Sequence, residues 1–176
     1  MFYRQKLFLY YSIVQFSAIF VLYYLALFSN NAYVSANQLL ISDLIETFCL
    51  LAFYLFSKEI LTTKNKLKTI DTILNILVYL SILDLCAIYI FGYSILYEYL
   101  PRSIVFVLLI LSGVISFIKG NKIAPLYCIA WSMLLIVIFF HEHNVININI
   151  IYLLHIVIPL ESFIYVSLLG INLKFL

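Results

Sequence analysis

Six long runs of apolar residues, separated by short polar connections, make up nearly the whole chain. A helix rises about 1.5 Å per residue, so about 20 apolar residues are enough to cross the hydrocarbon core of a bilayer. We predict one spanning helix in each run, over residues 7–28, 38–57, 72–91, 103–118, 123–140 and 145–169. The pattern therefore predicts an all-α protein, a polytopic membrane bundle of six helices that forms a single transmembrane domain over residues 1–176.

The composition agrees with a membrane protein and excludes an ordinary soluble domain. Hydrophobic residues make up 66% of the 176 positions and charged residues 10%, with a mean hydropathy of +1.14. A soluble domain is about a quarter charged, so this much apolar surface requires lipid as its solvent. The run at 7–28 is too long for the core of a signal peptide, and no small-residue cleavage site follows it.

Basic residues lie almost entirely on one side of the predicted bundle. With the connections assigned alternately to the two sides, one side receives nine of the ten basic residues, namely Arg4, Lys6, Lys58, Lys64, Lys66, Lys68, Lys119, Lys122 and Lys174. The other side receives Arg102 alone. Because Lys and Arg concentrate in cytoplasmic loops, we predict that both termini are cytoplasmic. The lysines of the 58–71 connection either only set this topology or also attract anionic lipid headgroups.

Four ionisable residues lie in the outer halves of the predicted spans. Asp43 and Glu46 share one face of the second span, Asp84 lies on the third, and His155 lies on the sixth. Ionisable groups at membrane depth normally face the bundle interior, so we predict that these four line one outward-opening polar cavity for a small ligand. The alternative is that they only make interhelical hydrogen bonds, with partners such as Gln15, Asn75, Ser81 or tyrosine hydroxyls.

Glu161 lies deeper in the sixth span, two residues after Pro159. Proline removes a backbone donor and clashes with the carbonyl four residues earlier, which predicts a hinge at this point. Glu161 is about 240° around an ideal helix from His155, so the two side chains do not face each other. We predict that Glu161 takes a partner on a neighbouring helix and, with Pro159, couples the hinge to the cytoplasmic end.

No pattern in the sequence indicates catalysis or a cofactor. His141, Glu142 and His143 place two imidazoles at i and i+2, which point apart on a helix, and no third ligand is evident. The three cysteines lie in apolar runs without paired spacing and are interpreted as packing residues. Phosphate-binding, dinucleotide-binding and serine-hydrolase motifs are absent from the sequence. We therefore predict a protein that is not an enzyme, with no metal site and, at a net charge of +2, no nucleic acid partner.

Four segments resemble the membrane domain of the bacterial seven-transmembrane receptors with diverse intracellular signalling modules. KLFLYYSIVQFSAIFVLYYL (6–25) is similar to the family's second helix, and FYLFSKEILTTKNKLKTIDTILNIL (53–77) to its third helix and basic loop. KGNKIAPLYCIAWSMLL (119–135) is similar to the start of its sixth helix, and VIPLESFIYVSLLG (157–170) to its last. Glu161 corresponds to a glutamate of that last helix. From this resemblance we expect the protein to lack the family's first helix and sensory domain, and to lack a kinase, cyclase or phosphatase module after Leu176.

The resemblance implies a receptor domain in the bacterial inner membrane, equivalent to the family's second to seventh helices. It would pass an extracytoplasmic signal to a cytoplasmic module of kinase or cyclase type on another chain, as a split or truncated receptor. Two other function classes stay open. The carboxylates Asp43, Glu46, Asp84 and Glu161 are also compatible with a small proton-coupled transporter, and the three histidines with an intramembrane enzyme.

Overall fold

The computed structural model describes residues 2–30, 36–142 and 150–175, and within them the chain is helical, without strands. Six long helices account for most of it: α1 (Phe2–Asn30), α2 (Ala36–Ile60), α4 (Lys68–Phe91), α6 (Arg102–Ile118), α7 (Ala124–Glu142) and α8 (Ile150–Phe175). Two four-residue helices, α3 (Thr63–Lys66) and α5 (Leu96–Tyr99), lie in the connections. The predicted all-α class is confirmed, and each predicted span coincides with one long helix. Residues 145–149 of the sixth predicted span lie outside the described residues.

Two helical segments are long and apolar enough to cross a membrane by themselves, Leu39–Ile60 and Lys68–Phe91. Shorter apolar stretches lie in the other four long helices, at Phe8–Phe20, Ser103–Ile118, Ala124–Phe140 and Leu153–Ser167. The six-span count and the orientation stay predictions.

Helix α4 buries one stripe that includes Ser81 and Asp84, and it exposes large apolar side chains on its other faces. Its buried positions alternate in steps of four and three along one stripe, and they are Ile70, Leu74, Leu77, Ser81, Asp84 and Ile88. The other faces expose large apolar side chains, among them Ile76, Leu83 and Tyr89. A helix with apolar outer faces and a buried carboxylate, here Asp84, suits a lipid environment, because polar groups there need protein partners.

The chain divides into two compact units, each built around three long helices. The first unit comprises Met1–Ile60 and Lys68–Leu100, in which α2 packs against both α1 and α4. Aromatic contact supports the α1–α2 pair, since the rings of Tyr11 and Phe56 lie 6.1 Å apart. Ser17 and Ser57 donate their hydroxyl protons to carbonyls four residues earlier in their own helices, at 2.8 and 2.7 Å. These bonds satisfy hydroxyl groups that lipid would leave unpaired.

The second unit comprises Leu61–Leu67 and Pro101–Leu176, in which α7 packs against both α6 and α8. Its centre is aromatic. The ring of Trp131 on α7 lies 5.5 Å from Phe106 of α6, 5.9 Å from Tyr127 one turn earlier, and 6.1 Å from Tyr165 of α8. All four side chains are buried, and tilted or edge-on rings at these distances attract one another. Trp131 thus links all three helices of the unit.

Close packing of α6 against α7 depends on Gly113. A Cβ atom at this position would lie 2.5 Å from the Cys128 Sγ and 2.7 Å from a ring carbon of Tyr127. Small residues allow helix backbones to approach closely in membranes, and Gly113 has that role here. Helix α8, in turn, continues through Pro159 from Ile150 to Phe175. The hinge at Pro159 therefore stays a prediction.

Candidate functional site

Asp84 is the centre of a polar cluster at one end of the first unit. Its side chain is 4% exposed. It accepts four hydrogen bonds, from Thr47 Oγ1 at 3.3 Å, Ser94 Oγ at 2.7 Å, Ile95 N at 2.9 Å and Leu96 N at 2.8 Å. We call Asp43, Thr47, Asp84, Ser94 and the backbone of Ile95 and Leu96 the Asp84 cluster. It joins α2, α4 and the connection that leads into α5.

The turn after α4 brings these groups together. Gly92 follows the last residue of the helix, and its N–H donates to the Ile88 carbonyl at 2.9 Å. Its φ of +82° lies in the left-handed region, where side chains with a Cβ are disfavoured. The chain reverses there and returns Ser94 and the start of α5 to Asp84, two turns back on α4. A glycine directly after an apolar helix is the sequence signal for such a reversal.

The hydrogen bonds of Asp84 leave it no capacity for a ligand. A carboxylate has about four lone-pair sites, and the four donors occupy two on each oxygen. We expected Asp84 to face protein and to approach the second or the sixth span; its burial confirms the first point, and its contact with Thr47 of α2 selects the second span. Asp84 is thus a positioning residue, which holds the α4–α5 connection onto α2.

Asp43 is the carboxylate of this cluster that keeps acceptor capacity. It is half-buried, and its Oδ2 accepts the Ser94 N–H at 3.1 Å. Glu46, three residues further along α2, is also half-buried. Their neighbour Thr47 lies one turn from Asp43 on the same face and was missed by the sequence analysis, as was Ser94. A hydroxyl four residues from a carboxylate in an apolar helix was the available signal for Thr47.

His155 belongs to the second unit, where its side chain is exposed. Its predicted place in one cavity with Asp43, Glu46 and Asp84 stays a prediction. Two grooves in the described structure are almost wholly apolar. One, of about 400 Å³, lies between α1 and α2 and is lined by residues such as Phe16 and Phe48. The other, of about 480 Å³, lies between α6 and α7. Neither contains any of the four predicted binding residues.

A second polar cluster joins α2 and α4 at their opposite ends. The Lys58 Nζ donates to the Asn75 Oδ1, and the Asn75 Nδ2 donates to the Asp71 Oδ2 at 3.1 Å. Lys58 and Asp71 also form an ion pair at 3.7 Å, with side chains 23% and 18% exposed. The alternative to a ligand cavity was that the outer carboxylates bond to residues such as Asn75 and Ser81. Asn75 instead forms hydrogen bonds with Lys58 and Asp71. Among the described residues, the Ser81 Oγ has no hydrogen-bond partner.

Glu161 is buried in the second unit, at 3% exposure. Among the residues that the structure describes, its Oε1 has no hydrogen-bond partner. The expectation of a partner on a neighbouring helix is therefore wrong for this oxygen. Hydroxyl and indole donors are buried in this unit, but no donor among the described residues lies within hydrogen-bond distance of the Oε1. Tyr165, one turn later on the same face of α8, is buried in the aromatic core.

The described residues contain no group of three or more His, Cys, Asp or Glu side chains placed to hold a metal ion. His143, one of the two histidines considered for such a site, lies outside these residues. The three cysteines form no disulfide bond with one another, and the Cys128 Sγ donates to the Ile110 carbonyl of α6 at 3.6 Å. This contact is consistent with the packing role predicted for Cys128.

Comparison with known proteins gives one informative result. Neither the curated proteins nor the solved structures contain a match to this chain. The model of the family described as 7TM diverse intracellular signalling, however, matches residues 1–173, essentially the whole sequence. The apolar helices, with Asp84 and Glu161 buried inside their units, agree with a membrane protein of this kind. The chain belongs to the 7TM diverse intracellular signalling family.

Proposed function

We propose that the chain is a transmembrane sensory domain that passes an extracytoplasmic signal to a cytoplasmic signalling module. The observation that carries the proposal is the family match over residues 1–173. The partner is a module of kinase or cyclase type on another chain, so the protein acts as one part of a split receptor. The chain itself has no catalytic role in this proposal.

The proposed topology is six spans in a bacterial inner membrane, with both termini in the cytoplasm. Its support is the distribution of nine basic residues on one side and one on the other. Fusions of alkaline phosphatase and of green fluorescent protein after Lys66, Tyr97 and Leu176 test it. We expect cytoplasmic signals after Lys66 and Leu176 and a periplasmic signal after Tyr97. A periplasmic C-terminus would contradict the span count.

The proposed input site is the outer end of α2 and α4. Asp43 and Glu46 remain the candidates for direct ligand contact, whereas Asp84 holds the α4–α5 connection in place. A ligand that binds Asp43 competes with the Ser94 N–H for the carboxylate. Such a ligand shifts the connection between two arrangements, because it binds one of them more tightly. Pro159 and Glu161 on α8 are the proposed coupling residues.

A hydroxyl substitution tests whether the Asp84 cluster controls the output. We fuse an adenylate cyclase catalytic module after Leu176, in cells that lack their own cyclase, and measure cyclic AMP at matched protein levels. Thr47→Val removes one bond of the cluster, worth about 1 kcal/mol, and should change the output about fivefold. Thr72→Val is the matched control, since Thr72 is exposed and its hydroxyl bonds only to its own helix at Lys68 O. Equal output from all three proteins would contradict the proposal.

A proton-coupled carrier is the second candidate, and the burial of Glu161 favours it. Buried carboxyls within spans are common elements of proton relays in transporters. Proteoliposomes loaded with a pH-sensitive dye separate the two functions. A carrier acidifies the lumen when its solute is added outside, whereas a sensory domain leaves the luminal pH unchanged with every solute tested.

A further inference from the structure

Glu161 combines two features that an ionised carboxylate does not tolerate together. It is 3% exposed, and among the described residues its Oε1 has no hydrogen-bond partner. Taking a charged carboxylate out of water without a partner is far more costly than taking out the neutral acid. Asp84, by contrast, is equally buried but receives four donors. Among the described residues, Glu161 thus lacks the donors that would stabilise a charged carboxylate.

The described residues that could face Glu161 offer no positive charge. The ionisable side chains described on α7 and α8 are Tyr127 and Cys128 on α7 and His155 and Tyr165 on α8. The two tyrosines and Cys128 are neutral groups, and His155 is exposed and about 240° around the helix from Glu161. Over residues 103–118, α6 has no ionisable side chain, and Lys64 of the Leu61–Leu67 segment is exposed. No ion pair to Glu161 occurs among the described residues.

A metal cation does not fit this position. Ca²⁺ takes six to eight oxygen ligands, and Mg²⁺ takes six in a near-octahedral arrangement. The described residues around Glu161 supply no second carboxylate, and no cluster of metal-binding side chains occurs in the described part of the chain. The cation that a single buried carboxyl group can hold is a proton.

We propose that Glu161 is a proton-binding site, with the carboxyl group protonated in the resting protein. A protonated carboxyl carries an O–H donor in place of the second anionic oxygen. When the site opens, the O–H bond breaks, the proton passes to a water molecule, and the carboxylate remains on α8. Opening is easiest near Pro159, because proline contributes no N–H to the helix there. The role of this proton in signalling rests on the proposed function, but the site itself does not.

Infrared spectroscopy tests the site directly. The protein is reconstituted in ether-lipid vesicles, which lack the ester carbonyls that overlap the carbonyl stretch of a carboxylic acid. At neutral pH we expect a carboxylic-acid band in the wild type that is absent in Glu161→Gln. The matched control is Glu59→Gln, at a half-buried glutamate near the end of α2, and it should keep the band. A wild type without the band, or a band that persists in Glu161→Gln, overturns the proposal.

Two further measurements keep the result interpretable. Trp131 is the one tryptophan of the chain, so its fluorescence spectrum reports whether each variant keeps the aromatic core of the second unit. If Glu161→Gln loses that spectrum, Glu161→Asp serves instead, and a shifted band in place of the original one supports the site. An unshifted band in Glu161→Asp contradicts it. The cyclase fusion is scored separately, so a band without any control of cyclic AMP retains the proton site and rejects the sensory function.

Discussion

Asp84 in the first unit and Glu161 in the second are both buried carboxyls on apolar helices, but their surroundings are opposite. Asp84 receives two hydroxyl and two backbone donors from α2 and the α4–α5 connection. Glu161 is buried in a unit with an aromatic centre, and its Oε1 has no donor among the described residues. Similar burial therefore corresponds to two roles. The first carboxylate organises the fold around it, and the second is available for chemistry.

The same contrast extends to the way each unit is held together. Polar clusters join α2 and α4 at both ends of the first unit, around Asp84 and around the Lys58–Asp71 pair. The second unit depends on ring contacts around Trp131 and on the close approach of α6 and α7 at Gly113. A substitution that removes hydrogen bonds should thus harm the first unit, whereas one that adds volume should harm the second.

The largest effect is expected from Asp84→Ala. The substitution leaves the Ile95 and Leu96 N–H groups and two hydroxyls without their acceptor, which should lower the free energy of unfolding by about 3 kcal/mol. Unfolding by sodium dodecyl sulphate in mixed micelles measures this change. Asp84→Asn keeps one acceptor oxygen and should fall between alanine and the wild type. Unchanged stability of Asp84→Ala would show that the cluster does not hold the connection.

A smaller loss is expected from Gly113→Ala. The new methyl group would overlap the Cys128 Sγ and the Tyr127 ring, and overpacking of this kind costs about 2 kcal/mol. The Trp131 fluorescence should change together with the midpoint of unfolding, because Tyr127 is one of its ring partners.

Gly170→Ala is the control for that variant. Gly170 also lies in a helix, but a Cβ atom there meets nothing within 4 Å. The Gly170→Ala variant should equal or slightly exceed the wild type in stability, since alanine stabilises a helix relative to glycine by up to about 1 kcal/mol. If Gly113→Ala is instead as stable as Gly170→Ala, at or above the wild type, helix propensity and not close packing dominates at Gly113.

The smallest change in stability is expected from Glu161→Leu. Because Oε1 has no donor among the described residues, the leucine removes a buried polar group and no hydrogen bond to this oxygen. Replacing an unsatisfied buried polar group by an apolar one is often neutral or stabilising. We expect a stability within about 0.5 kcal/mol of the wild type or above it. A loss as large as that of Asp84→Ala would place a strong partner at Glu161 and remove the contrast between the two carboxyls.

The positions of the long helices could be predicted from the sequence because the length of an apolar run is a local property. Each of the six predicted spans coincides with a long helix, and the inward orientation of Asp84 followed from the cost of a carboxylate in lipid. The family was also recognisable from the four motif segments, and the match over residues 1–173 agrees with it.

The partners of the polar groups were decided only by the tertiary structure. Whether a carboxylate is satisfied depends on how neighbouring helices are rotated and on where a connection returns, and neither is encoded in one helix. The left-handed turn at Gly92 delivers Ser94 and two backbone N–H groups to Asp84, whereas the aromatic core around Trp131 brings no donor to the Oε1 of Glu161. The spacing alone predicted that Asp84 lines a ligand cavity and that Glu161 is hydrogen-bonded to a neighbouring helix. In the described structure Asp84 is the hydrogen-bonded residue, and the Glu161 Oε1 has no donor. A hydrogen bond requires a donor within about 3 Å, and only the folded chain determines that distance.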